Sequence, residues 1–337
     1  MTLIIMENLR HFLFAAAVLF ALSSCADKNV TVVKSFPEEG ELALLKKVPY
    51  DPTEYNIGWY STSNGFYIYR LWGEPFFALL DKDRNEIVRF GKKGNGPGEF
   101  LSPDVIKAAL GRGDTLELFI RDWARGCLYR TSVNTKDGGY RTVLEKDFGK
   151  RMRELHILGD GRYICSGENN RYYFLEADGS EHYLEGWGED VDEVLENSDY
   201  YVPVFQSMGV ISPDSSLFAI NSISFPTLIV HDLQGNRLKT MHIGEVPENM
   251  DMPSRIGSFL NLDYIGDKLA VIYETYDEDW DVSECFLCIF DRDLNPLKRY
   301  PLPDGGNTLN IDRTTGIATV LSYDNEAFYE YDLSEWL

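Results

Sequence analysis

One phrase recurs about every fifty residues along this chain: a hydrophobic and aromatic run, an acidic residue, then a short polar turn. The copies are FFALLD ending at Asp81, YYFLE at Glu176, TLIVHD at Asp232, FLCIFD at Asp291 and FYEYD at Asp332. Asn85, Asn236 and Asn295 follow four residues after the acid in three of them, and Ser180 takes that place in a fourth. A weaker sixth copy, GCLYR, puts Arg130 at the acid position and Asn134 four on. The anchors 81, 130, 176, 232, 291 and 332 are separated by 49, 46, 56, 59 and 41 residues. A period of that size, with strand-forming residues in every unit, marks a propeller or a solenoid.

Turn and strand signals divide the chain into blades at about 57–90, 103–145, 152–187, 204–244, 256–303 and 308–333. The last unit supplies only three strands, Thr308–Ile311, Gly316–Ser322 and Ala327–Tyr331, while Leu42–Val48 reads as a strand with no neighbour in sequence. Pairing the two closes the ring and removes an exposed edge. The expected fold is therefore an all-β, six-bladed propeller whose N-terminal strand completes the C-terminal blade. Two acidic segments interrupt the pattern. Glu185–Tyr200 reads as a short inserted helix, and Glu274–Glu284 as an elongated hairpin tip.

The chain opens on a targeting segment. Arg10 and His11 precede an apolar run from Phe12 to Leu22, too short for an ordinary membrane span and laid out as a secretory signal. Leu22-Ser23-Ser24-Cys25 looks like a lipobox. The resemblance to bacterial lipoproteins implies cleavage before Cys25, acylation of its thiol and a lipid anchor in the outer membrane. The expected domains are a signal peptide over 1–24, a polar tether over 25–40 and the propeller over 41–337.

Net charge is −22, which disfavours nucleic acid and anionic lipid as partners. Cys127, Cys165, Cys285 and Cys288 read as buried thiols, with one disulfide between blades open to an exported protein. Cys285 and Cys288 form a Cys-x-x-Cys inside a predicted strand, where positions three apart point to opposite faces. Asp277 to Asp281 alternates acids as an EF-hand loop does, but Val282 and Cys288 stand where that loop needs Gly and Glu, so a solvated tip is expected. No Walker loop, no His-Glu-x-x-His and no Gly-x-Ser-x-Gly occurs, and no catalytic residue is assigned.

The glycine-rich run Gly91-Lys92-Lys93-Gly94-Asn95-Gly96-Pro97-Gly98-Glu99-Phe100 follows the last strand of the first blade. Its glycines suit a structural connection from one blade's outer strand to the next blade's inner strand. With the preceding IVR it resembles the blade connections of NHL-type and TolB-like propellers, and with the lipobox and six repeats the whole mature chain resembles the TolB-like six-bladed propeller lipoproteins. That resemblance implies an envelope protein without an assigned reaction. Arg121, Asp122, Trp123 and Arg125 form a candidate binding surface, because arginines beside an aromatic suit recognition. Trp59, Trp72 and Trp280 are further candidates, set against a packing role.

The leading expectation is a binding protein for an envelope protein or a glycan, with no cofactor. The alternative resembles the gluconolactonase-type propellers, with a divalent cation held at the channel mouth by groups such as Glu168, Asn169, Asn221 and Asp263.

Overall fold

A computed structural model describes residues 29–61, 65–167, 170–186, 206–244, 257–279 and 281–337, the side chains of 56–61 excepted. The signal segment, Cys25, most of the acidic insertion, Glu168, Asn169, Trp280 and the Trp59 side chain lie outside the described residues.

Two N-terminal strands, β1 (Val30–Val33) and β2 (Leu44–Pro49), precede the blades. Blade 1 is β3 (Tyr55–Ser61), β4 (Tyr67–Leu71), β5 (Phe77–Leu80) and β6 (Glu86–Phe90). The glycine-rich run contributes a small parallel pair, β7 (Lys92–Lys93) and β8 (Glu99–Phe100). Blade 2 is β9 (Pro103–Leu110), β10 (Thr115–Asp122), β11 (Cys127–Asn134) and β12 (Tyr140–Asp147). Blade 3 is β13 (Glu154–Ile157), β14 (Tyr163–Ser166), β15 (Tyr172–Leu175) and β16 (Glu181–Tyr183). Blade 4 is β17 (Ser207–Ile211), β18 (Leu217–Ser222), β19 (Thr227–Asp232) and β20 (Arg237–Ile243). Blade 5 is β21 (Gly257–Ile265), β22 (Lys268–Tyr276), β23 (Val282–Phe290) and β24 (Pro296–Pro301). Blade 6 is β25 (Thr308–Asp312), β26 (Ile317–Ser322) and β27 (Ala327–Asp332), completed by β2.

The chain is thus a six-bladed β-propeller closed by its own N-terminal strand. β2 pairs antiparallel with β27 from Leu44 opposite Tyr331 to Pro49 opposite Ala327, two residues from the bounds expected for the orphan strand. Six buried clusters join the blades, one at each junction from 1–2 round to 6–1. In the middle strands both faces are buried, so β18 and β22 read as near-continuous apolar runs. Cys285 faces the junction of blades 5 and 6 and Cys288 that of blades 4 and 5, as their odd spacing requires. All four described cysteines are free and buried.

The recurrent phrase has a physical cause at the turn it ends on. In Asp81, Asp232 and Asp291 alike, Oδ1 accepts the N–H groups two and four residues on, at 2.8–2.9 Å. The Asn side chain at the fourth position donates back to Oδ2. Each such turn closes the last hairpin of its blade. Blade 2 departs from the pattern: Arg130 lies mid-strand in β11, and Asn134 itself accepts the turn N–H groups of Lys136 and Asp137. That hairpin is simply four residues longer, which is why its copy of the phrase is weak.

The expected tether over 25–40 runs against the ring from residue 29. β1 adds parallel to β20 as a fifth strand of blade 4, Val30 opposite Thr240 through Val33 opposite Ile243. The chain then crosses blade 5, where Gly40 donates to the Arg299 carbonyl at 3.0 Å and the Phe36 ring meets Phe290 edge-on. At the end of β1, Val33 enters the core shared by blades 4 and 5, while Val32 on the opposite face stays exposed.

Candidate functional site

Within each blade the strands alternate in direction, so two kinds of connection share one face of the ring: those between the second and third strands, and those from one blade to the next. Over blades 1 to 3 this face includes the connections 72–76, 91–102, 121–126 and 148–153. The first carries the exposed Glu74, and the other three carry seven bases (Lys92, Lys93, Arg121, Arg125, Lys150, Arg151 and Arg153) against two acids, Glu99 and Asp122.

Both acids are turned inward. Glu99 accepts the Gly96 N–H at 2.7 Å, and the fully buried Asp122 accepts the N–H groups of Leu101 and Ser102 at 2.7 and 3.0 Å. Arg125 is consumed as well. Its guanidinium donates to the Glu99 and Asn95 carbonyls, each at 2.9 Å, and so ties the glycine-rich run to blade 2. Within the run Gly91 holds φ at +87°, and a Cβ there would meet the Phe77 ring at 3.2 Å. Gly94, Gly96, Pro97 and Gly98 complete the turn between β7 and β8. Gly126 lets the loops approach closely, since a Cβ would stand 2.1 Å from the Lys150 carbonyl oxygen.

The expected binding motif is therefore divided by the fold. Asp122 and Arg125 hold the loop, Trp123 is half-buried on the face with the Arg151 guanidinium 5.2 Å from its ring centroid, and Arg121 points to the channel. Trp72, in the equivalent connection of blade 1, is 56% exposed, and its indole N–H donates to the Pro52 carbonyl at 2.7 Å. Lys92, Lys93 and Arg151 are exposed, and among the described residues no carboxylate lies within ion-pair reach of them. Over blade 5 the same face is acidic. The tip is a tight turn in which Asp277 accepts the Asp279 and Asp281 N–H groups. Beneath it, burial, with Asp324 adding to it, pushes the Glu274 carboxyl up to about 7.

At the mouth of the channel Asp104 on β9 accepts from Arg70 of blade 1 and, at 3.0 Å, from Arg121 of its own blade. Deeper in, the inner strands enclose a cavity of about 490 Å³ open to the other face. Five blades line it, among them Lys107, His156, Gly209, Asp263, Asn310 and Arg313. Its two neighbouring carboxylates stitch adjacent blades together. Glu154 accepts the Gly209 N–H and meets His156 Nε2, both at 3.0 Å. Asp263 accepts from the Ile311 N–H at 2.9 Å and Arg313 Nη2 at 2.7 Å.

Of the four residues considered for a cation, Asn221 and Asp263 are described, and they do not converge. Asn221 is buried and donates to the Phe259 carbonyl at 2.5 Å. Asp263 lies four residues further along the same strand, roughly 13 Å at strand rise. Among the described residues no group of three or more His, Cys, Asp or Glu side chains is placed to hold a metal ion. Sequence reasoning named Trp72 without deciding between recognition and packing, and missed Lys107 and the charge division of the face. Lys107 is marked only as a lone cation in the strand Val105-Ile106-Lys107-Ala108-Ala109.

No family profile matches the sequence, and no curated protein matches it. Among solved structures, the chain is similar to a member of the DUF4221 family from Bacteroides vulgatus at 9% identity. The TM-score is 0.54, and the match covers 87% of this chain and 97% of that one. It is also similar to Raptor of Chaetomium thermophilum, with TM-score 0.50 and 11% identity, over 87% of this chain and 29% of that much longer one. At such identities the likeness is one of fold: what these structures share with this chain is the ring of blades.

Proposed function

We propose that this propeller is a binding protein of the cell envelope, akin to the TolB-like group, tethered through lipid on Cys25 and offering its cationic face over blades 1 to 3 to an anionic glycan or envelope protein. The observation that carries the reading is the division of charge. In a chain of net charge −22, three adjoining connections gather seven bases against two acids, of which Asp122 is buried and Glu99 is half-buried against a main-chain N–H. Fields from such a sector steer anionic partners, and exposed Trp72 with half-buried Trp123 supplies aromatic surface beside them. A closed scaffold whose blades are locked by six buried junctions suits presentation of a fixed surface rather than an induced one.

The test uses the mature lipidated chain on an array of acidic and neutral glycans and in pull-downs from envelope extracts. Binding of acidic ligands that falls steeply with salt and is lost in Lys92→Glu/Lys93→Glu/Arg151→Glu supports the reading. Equal binding by that variant sinks it. For the anchor, mass spectrometry of the N-terminal peptide is expected to find a diacylglyceryl group on Cys25, and Cys25→Ser to release the protein from membranes.

A further inference from the structure

We propose that the cavity in the channel, at the end away from the cationic face, is a site for a small hydroxy-carboxylate, with Lys107 as its counter-charge. The site is separate from the face described above and does not depend on it.

The inner strands of a propeller are edge strands toward the channel, so their backbone N–H and C=O groups turn toward whatever fills it. Here two of those donors already have partners: Gly209 N–H is taken by Glu154 and Ile311 N–H by Asp263. Those carboxylates have further partners, because Glu154 also meets His156, and Asp263 also accepts from Arg313 and from the Tyr264 N–H. Lys107 is the exception. Its side chain is exposed within the cavity, and among the described residues no carboxylate lies in ion-pair reach. β9 carries a bulge where Phe119 pairs with Lys107 and Ile120 with Val105, leaving Ile106 unpaired. Bulges of this kind re-aim the side chains beside them.

An uncompensated ammonium inside a concave wall of packed strands attracts an anion far more strongly than one on an open surface. The cavity, about 490 Å³, lies within the range that holds small organic ligands. Val210 and Ile157 add apolar wall to a lining that is otherwise mostly polar, which suits a small, polar organic acid. Asn310, on the same wall, has a buried Oδ1 with no hydrogen-bond donor. A rotation of the Asn310 amide bares that atom to a ligand hydroxyl while the ligand carboxylate meets Lys107, and the two requirements together define the class.

Calorimetric titration of the mature protein with malate, lactate and citrate tests this, with succinate, glycerol and inorganic phosphate as comparison probes. Saturable binding of a hydroxy acid is expected, weakened about tenfold or more by Lys107→Met, the range for a hydrogen bond to a charged group. Lys107→Arg should recover most of it. Asn310→Leu should erase the preference for malate over succinate, and Lys92→Ala/Lys93→Ala should change nothing, which separates this site from the cationic face. No saturable binding of any hydroxy acid, binding indifferent to Lys107→Met, or phosphate binding as tightly as malate would each overturn the proposal.

Discussion

The seam between blades 6 and 1, where the ring closes on itself, is held by a buried ion pair that offers a quantitative test. Arg84 and Glu330 pair with side chains only 7% and 10% exposed. Tyr67 OH donates to the same carboxylate at 3.0 Å, and the guanidinium lies 4.0 Å from the Tyr67 ring centroid and 5.3 Å from that of Phe328. Arg84 occupies a left-handed turn position, φ +65°, where blades 3 and 4 carry Gly179 and Gly235. A side chain is kept there against the backbone preference, and its work is across the seam. Arg84→Met strands the Glu330 carboxylate among aromatic rings with one hydroxyl partner. Breaking a buried pair from one side costs about 3–5 kcal/mol, and the lost cation–π contact adds about 1. With roughly 2 °C per kcal/mol in a domain of this size, the melting temperature should fall by about 8 °C. The double variant Arg84→Met/Glu330→Met removes both charges and should recover most of the loss, giving a coupling of about 3 kcal/mol in a double-mutant cycle. The exposed pair of Lys82 with Asp83, 76% and 66% accessible, is the control, and Lys82→Ala should leave the melting temperature unchanged. Calorimetric melts provide the readout. If the single variants cost less than about 1 kcal/mol, or their losses add in the double, the seam is not locked in this way.

Three more expectations follow from local geometry. Asp291→Ala removes an acceptor shared by two turn N–H groups and the Asn295 amide, so it should cost about 1–2 kcal/mol in denaturant unfolding. Asp291→Asn should keep much of that, and equal losses in both would refute the turn's role. His231 is buried against the Glu185 carbonyl, and burial pulls its pKa down to about 4. Only the unfolded chain binds that proton between about pH 6.5 and 4, so stability should fall through that window by up to about 3 kcal/mol and level off below it. Burial lowers His242 to about 4 as well, so His231→Gln should about halve the slope and His231→Gln/His242→Gln flatten it, and an unchanged slope in the double variant would refute the account. Burial pushes the Cys165 thiol up to about 12 and raises Cys127, Cys285 and Cys288 as well. None should react with a thiol reagent natively, and all four should react on denaturation. Rapid native labelling of any of them would contradict the packing.

The parts of this fold that were legible in sequence are those with a local chemical cause. The Asp–Asn turn needs both residues at fixed spacing, so it stamps the repeat on the chain, and counting repeats exposed the missing strand that β2 supplies. What stayed hidden is non-local. Val30–Val33 pairs with a strand more than two hundred residues away, and nothing near it in sequence names that partner. The site was harder still. Arg121 and Arg125 look alike in the sequence, yet one reaches Asp104 and the other grips main-chain carbonyls, whose owners carry no mark in sequence. Lys107 owes its place to a bulge, and bulges leave no reliable signature.

The N-terminal strap also sets an order of events. Its first strand lies on residues 240–243 and can settle once blade 4 is made, but its second lies on residues 327–331 and has no partner until almost the last residue is made. Segments at such separation assemble late and slowly. A ribosome that stalls a dozen codons early would leave β2 without its partner, β26 as a bare edge, and a ring with an open sector.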